Sequence, residues 1–140
     1  MYLLDTNILS ELRKFHNNTI DENVRKWFEQ IMPSQTYISV ISLMEIQMGI
    51  SLKKRKDVLQ AAHLQQWFND MLLPLYQTRT LPINAEIALS CAELHIPNRR
   101  SLNDTLIATT AIQHKLTLVT RNTKDFQGLK LRLLNPFEPH

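Results

Sequence analysis

Met1-Tyr2-Leu3-Leu4-Asp5-Thr6-Asn7 opens the chain with an apolar run long enough only for a short buried strand, cut off by a carboxylate and two small polar residues. A helical pattern through Ile8, Leu9 and Leu12 follows at once. In open α/β sheets the ligand crevice lies at the carboxyl ends of parallel strands. A charge buried there without a partner is costly, so Asp5 calls for one.

The same alternation continues outward from that stretch. Helical spacing over Ile8 to about Phe15 is broken by Asn17-Asn18, then resumes from Glu22 to Ile31 through Val24, Trp27 and Phe28. Thr36 to Val40 reads as a second strand. Ser42-Leu43-Met44-Glu45 has the form of a capping box, Ser followed three residues later by Glu, and predicts a helix start there. Val58, Ala61, Leu64, Phe68, Met71 and Leu72 mark a longer helix that Pro74 should stop. Thr80 to Ile83 reads as a short strand, and Pro82 makes it an edge or a connector. Asn84 should cap a helix carrying Ile87, Cys91 and Leu94, and Asp104 to His114 forms the next. Thr117 to Thr120 and Leu131 to Leu134 are the remaining strands. Strands alternating with crossover helices predict an α/β domain, a mostly parallel central sheet with helices on both faces, occupying residues 1–140.

Composition narrows the class. A chain of 140 residues, 44% hydrophobic and 21% charged, is large enough for one substantial core and too apolar for disorder. No apolar stretch approaches the roughly 20 residues of a membrane span, and the N-terminus lacks a secretory pattern. A single cysteine, Cys91, excludes an internal disulfide and reads as a core thiol; cytoplasmic residence is the expectation. The net charge of +3 is mildly basic and compatible with a polyanionic partner. Lys53 to Arg55 with Lys56 form one basic run and Arg99-Arg100 another; a solvated helix end and a nucleic-acid contact are both open for the first.

The acids carry the functional argument. Asp5 ends the first strand, Glu45 lies just after the second, Asp104 opens a helix after a polar loop, and Asn122 and Asp125 follow the strand ending at Thr120. In a parallel sheet these junctions share one edge. Carboxylates gathered in one crevice stay ionised only with a cation among them. Oxygen donors without a His or Cys cluster favour a hard cation, Mg²⁺ or Mn²⁺, and such ions serve phosphoryl chemistry. Each acid also has a plainer reading: Asp5 as a helix cap, Glu45 as the return arm of a capping box, Asp104 as a first-turn dipole charge, Asp125 as a turn residue.

Leu3 to Leu12, Ile41 to Gly49, Asn103 to Ala111 and Leu118 to Phe126 occur in the order of four motifs of PIN-domain proteins, and the chain resembles the VapC and FitB ribonuclease toxins of that family over essentially its whole length. The resemblance implies a Mg²⁺-dependent endoribonuclease, with Mn²⁺ as a substitute, in which Asp5, Glu45 and Asp104 are the catalytic and metal-binding acids. Many members carry an acid two residues after the Thr ending the last motif's strand; Asn122 stands there and can still offer a carbonyl ligand or a bond to metal-bound water, or Asp125 three residues on could supply the charge instead. Thr6, Asn7 and Thr120 would support these groups. Arg99, Arg100, Arg121 and Lys124 flank the same edge and are the RNA-binding candidates, with Lys53 to Lys56 as an extension. The resemblance further implies a structured RNA substrate such as a tRNA, a cognate antitoxin that blocks the site, and a homodimer or a larger complex with the antitoxin, none of them at a membrane. Trp27, Phe28, Trp67 and Phe68 are core residues or interface residues.

Other chemistries fit less well. Only Gly49 and Gly128 are present, which excludes a glycine-rich phosphate loop. The histidines have no zinc-ligand spacing. A dehalogenase-type phosphotransfer site would need an acid at Asn7, and a phosphoacceptor domain would need one beside Asp5. A noncatalytic PIN-like module that binds RNA or protein is the alternative, because Asn122 weakens one acidic position.

Overall fold

Short β-branched and leucine-rich segments pair side by side in the computed structural model, which describes residues 1–139. The strands are β1 (Tyr2–Leu4), β2 (Thr36–Ser39), β3 (Thr80–Leu81), β4 (Thr117–Val119) and β5 (Leu133–Leu134). They form one sheet in the order β3-β2-β1-β4-β5, and every pairing is parallel. The edge strand suspected over Thr80 to Ile83 is therefore real but only two residues long, ended by Pro82, which has no N–H to extend the ladder.

Successive residues of a strand face opposite sides, and both sides of this sheet are covered. Leu4, Ile38 and Val119 pack with Ile8, Leu9, Trp27, Ile46 and Phe68 on one face. Leu3 and Leu118 pack with Ile107, Ala108, Ala111 and Phe126 on the other. The first layer is built by helices α1 (Thr6–Leu12), α2 (Glu22–Glu29), α3 (Val40–Lys54) and α4 (Val58–Trp67). A one-turn α5 (Leu73–Leu75), then α6 (Ala85–Leu94) and α7 (Leu102–Gln113), complete the chain's helices. No helix among the described residues is long and apolar enough to cross a membrane.

Several boundaries differ from the sequence reading. The first helix ends at Leu12 and continues as a 3-10 turn over Arg13–Asn17, with Asn18 left-handed (φ 57°) closing it. The α4 helix passes through a π-turn at Phe68–Leu72, and Pro74 lies inside the final turn rather than before it. A widened turn upstream is one way a helix accommodates the N–H that Pro lacks. The capping box at Ser42 is not formed. Ser39 caps α3 instead, its hydroxyl accepting the Ile41 N–H at 3.0 Å, and Ser42 is fully buried inside the helix. Asn84 caps α6 as expected, through the Ile87 N–H. Cys91 is buried, and burial pushes its thiol pKa up, as a core thiol requires.

Candidate active site

Asp5 leaves β1 directly and caps α1, its Oδ1 accepting the Thr6 N–H at 2.8 Å. Its other oxygen accepts from the Thr120 hydroxyl at 2.8 Å, a residue at the end of the neighbouring β4. The side chain is only 4% exposed. Burial pushes its pKa up to about 6; the Thr120 and Thr6 bonds pull against that, while Asp104 and Glu45 add to it.

Starting α3 at Val40 places Ser42 and Glu45 one turn apart on the same side of the helix. The Thr6 hydroxyl donates to Glu45 Oε1 at 2.6 Å, and Ser42 Oγ lies 2.9 Å from the same Thr6 oxygen. Asn103 Nδ2 stands 3.4 Å from Glu45 Oε2. Asp104 sits in the first turn of α7. Burial, then Glu45 and Asp125, hold its carboxyl above the usual range, with the Ser101 side chain opposing them.

Asn7 ties the junction together. Its Nδ2 reaches Thr120 Oγ1 at 3.3 Å and Asp5 Oδ2 at 3.4 Å, and its Oδ1 accepts the Arg121 N–H at 3.1 Å. The Asn122 N–H donates to Thr120 Oγ1 at 3.1 Å, and the Asn122 carbonyl accepts the Asp125 N–H at 3.0 Å. Asn122 thus starts the 3-10 turn Thr123–Phe126, and Asp125 on that turn faces a polar hollow of about 320 Å³ that Asp104 and Arg100 also line.

The Thr120 hydroxyl is the hub of this network and is fully buried. Thr120→Val keeps the shape and removes one donor and one acceptor. It is expected to lower stability by about 1–3 kcal/mol, the range for orphaning buried polar groups. A urea denaturation midpoint equal to that of the unmodified protein would show that the hydroxyl does not hold the junction.

Asp5, Glu45, Asp104 and Asp125 therefore repel one another at the carboxyl edge. The ion pairs shown among the described residues, Lys14 with Glu11 and Arg25 with Glu22 and Glu29, involve none of them. All four offer oxygen donors, the set a hard cation takes. No three His, Cys, Asp or Glu side chains among the described residues stand in a ready-made coordination cage.

The PIN domain family matches residues 2–130, nearly the whole sheet and all four acids. The chain belongs to the PIN domain family. Toxin FitB of Neisseria gonorrhoeae is 32% identical to this PIN domain over 145 residues, covering 98% of this chain and 99% of that one. VapC ribonuclease Y4jK of Sinorhizobium fredii is 31% identical, covering 99% of each. Among solved structures, FitAcB from N. gonorrhoeae superposes with a TM-score of 0.86 at 29% identity, covering 99% of both chains. A toxin–antitoxin complex from Klebsiella pneumoniae does so at 0.70 and 30% identity, again covering 99% of both.

The basic residues singled out in the sequence fall in different places around this PIN domain's acids. Arg100 lines the hollow with Asp104 and Asp125, its guanidinium donating to the Gln127 carbonyl at 3.2 Å. Arg121 is exposed at the same edge, stacked 4.4 Å over the Phe137 ring, and Lys124 is exposed on the 3-10 turn. Arg99 turns instead toward the groove between α6 and α7. Lys53 and Lys54 end α3, about 12 Å along the axis from Glu45 at 1.5 Å per residue. They do not extend the acidic edge; as cations in a last turn they complement the helix dipole. Ser42, which meets Thr6, and Asn103, which meets Glu45, went unassigned in the sequence because these contacts lie outside their own helices.

Proposed function

We propose that this PIN domain is a Mg²⁺-dependent endoribonuclease, the toxin of a toxin–antitoxin pair, acting in the cytoplasm. Four carboxylates gathered at the carboxyl edge of the sheet, with no cationic side chain paired to them among the described residues, carry this reading, supported by the ribonuclease and toxin relatives. Mg²⁺, with Mn²⁺ as a substitute, would supply Lewis acidity and charge neutralisation at the attacked phosphodiester.

The chain's own groups divide the remaining work. Asp5 and Asp104 would hold the cation, and Asp125 would supply the fourth charge in place of the acid that Asn122 replaces. Asn122 keeps the turn that presents Asp125. Glu45, held at Oε1 by Thr6 and more loosely at Oε2 by Asn103, orients an attacking water and accepts its proton through the remaining lone pair of Oε2. Thr6, Asn7 and Thr120 hold the acids in register. Arg100, Arg121 and Lys124 offset phosphate charge on the RNA path, with Arg99 at its margin. In-line attack by water leaves a 5′-phosphate and a 3′-hydroxyl. Sequencing the fragments of a total tRNA pool treated with antitoxin-free protein tests this. Ends of that type are expected, and 2′,3′-cyclic phosphates would contradict it.

The partner reading has its own surface. Phe28 and Trp67 are half-buried and line an apolar groove of about 220 Å³ with Leu12, Phe15, Met71 and Leu75, whereas Trp27 and Phe68 are core. A cognate antitoxin helix would cover that groove and carry a segment onward to the acids, as a homodimer or a larger complex. The noncatalytic alternative keeps the same groove and predicts no Mg²⁺ binding.

A further inference from the structure

A second group of cations lies at the opposite, amino edge of the sheet. The α7 helix closes with Lys115 in the left-handed region (φ 56°), while the Leu116 N–H donates to the Ala111 carbonyl at 2.8 Å. Glycine is the usual occupant of that helix-ending position, because a Cβ there is strained. The Lys115 carbonyl accepts from the Arg132 guanidinium at 3.1 Å. Lys115, Lys130 and Arg132 are exposed and line one hollow of about 400 Å³, floored by Leu116 and Leu131. None of the three belongs to an ion pair shown among the described residues. Three like charges around one hollow with no carboxylate lining it, one of them on a strained backbone, suggest a polyanion as the partner.

A short stretch of chain links this hollow to the acidic centre. Residues 127–132 run from one to the other. At the upper end Arg100 is bonded to the Gln127 carbonyl and lies beside Gly128 (φ 87°), its Nη2 3.4 Å from where a Cβ there would stand. At the lower end are Lys130 and Arg132. Along β4 the two edges are about 10 Å apart, three residues at 3.3 Å each, a span of a few nucleotides.

We propose that Lys115, Lys130 and Arg132 bind the backbone of the RNA strand beyond the cleavage site, with Arg100 as the link to the acidic centre. The proposal rests on the ribonuclease reading, since RNA is the polyanion that centre would act on. Phosphate contacts of this kind set the position of a strand without reading its sequence.

Fluorescence anisotropy of a labelled tRNA transcript in chelator, where nothing is cut, tests it across a salt series. Lys115→Gln combined with Lys130→Gln and Arg132→Gln should weaken binding at least about tenfold at low salt. It should also flatten the log–log salt slope by about 2, at roughly 0.7 per lost single-strand contact. Lys115→Gly, which relieves the left-handed strain, should weaken binding several-fold while leaving the melting temperature unchanged or higher. A structural role alone would move only the melting temperature. Affinity and slope equal to wild type in both variants would overturn the track and leave the nuclease reading standing. Loss of polyglutamate binding with RNA binding intact would overturn it in favour of an acidic protein. A wild type with no salt-dependent RNA affinity would remove the track together with the reading beneath it.

Discussion

Asp5→Asn is expected to cut RNA about a thousandfold more slowly, the loss of roughly 4 kcal/mol of the charge stabilisation a bound divalent ion supplies. The same substitution should leave the protein as stable as wild type, or more so, in chelator at pH 8. Asp5 is almost fully buried and its pKa stands near 6, so at pH 8 the fold carries an ionised carboxylate that water would solvate better. Moving from 3.8 to about 6 corresponds to about 3 kcal/mol against the ionised form. Asparagine removes that cost, keeps one oxygen for the Thr6 N–H, and loses about 1–2 kcal/mol of hydrogen bonding to Thr120 and Asn7. A net gain of about 1–2 kcal/mol is therefore expected in urea denaturation. An ordinary structural aspartate would show the reverse, intact chemistry and lost stability. Wild-type cleavage by Asp5→Asn would remove Asp5 from the reaction.

The second large effect is a pH slope that changes sign with the metal. The folded pKa of Asp5 is raised above its unfolded value, so the folded state binds its proton more tightly. In chelator, stability is lowest above pH 6 and rises as pH falls through 6 toward 3.8. Asp5 alone contributes about 1.4 kcal/mol between pH 8 and pH 5, about 3–5 °C in melting temperature for a chain of this size. Asp104, also raised, adds in the same direction. A divalent cation binds the ionised carboxylates and competes with those protons. At a hundred times its dissociation constant it should add about 2.7 kcal/mol at pH 8, and that gain should shrink on acidification. Melting curves at pH 5, 6, 7 and 8, in chelator and in Mg²⁺, test both slopes. Parallel pH profiles with and without Mg²⁺ would mean that the ion is not held by these groups.

The first seven residues showed the central strand and its terminal acid, because a three-residue apolar run followed by Asp-Thr-Asn has few other solutions in an α/β chain. The order of the acids likewise showed that they would share an edge, since parallel pairing carries every strand end to the same side. Ser42 was misread for a physical reason. Ser39 and Ser42 both precede apolar helical residues, and only the contact of Ser42 with Thr6, 36 residues away, decides which one caps. That Asn122 starts the turn carrying Asp125 was equally illegible, because the hydrogen bond anchoring that turn runs to Thr120. Arg99 and Arg100 are neighbours in sequence yet face different hollows, which no charge pattern reveals. Nothing in the sequence singles out Lys115; its backbone angle does.

The most direct measurement is cleavage of total tRNA by antitoxin-free protein, stripped with chelator and then resupplied with Mg²⁺. No fragments in chelator and full recovery on addition of Mg²⁺ are expected. Fragmentation that continues undiminished in chelator, or none in Mg²⁺ by a protein that also fails to bind the ion by calorimetry, would contradict a metal-dependent nuclease built on Asp5, Glu45 and Asp104.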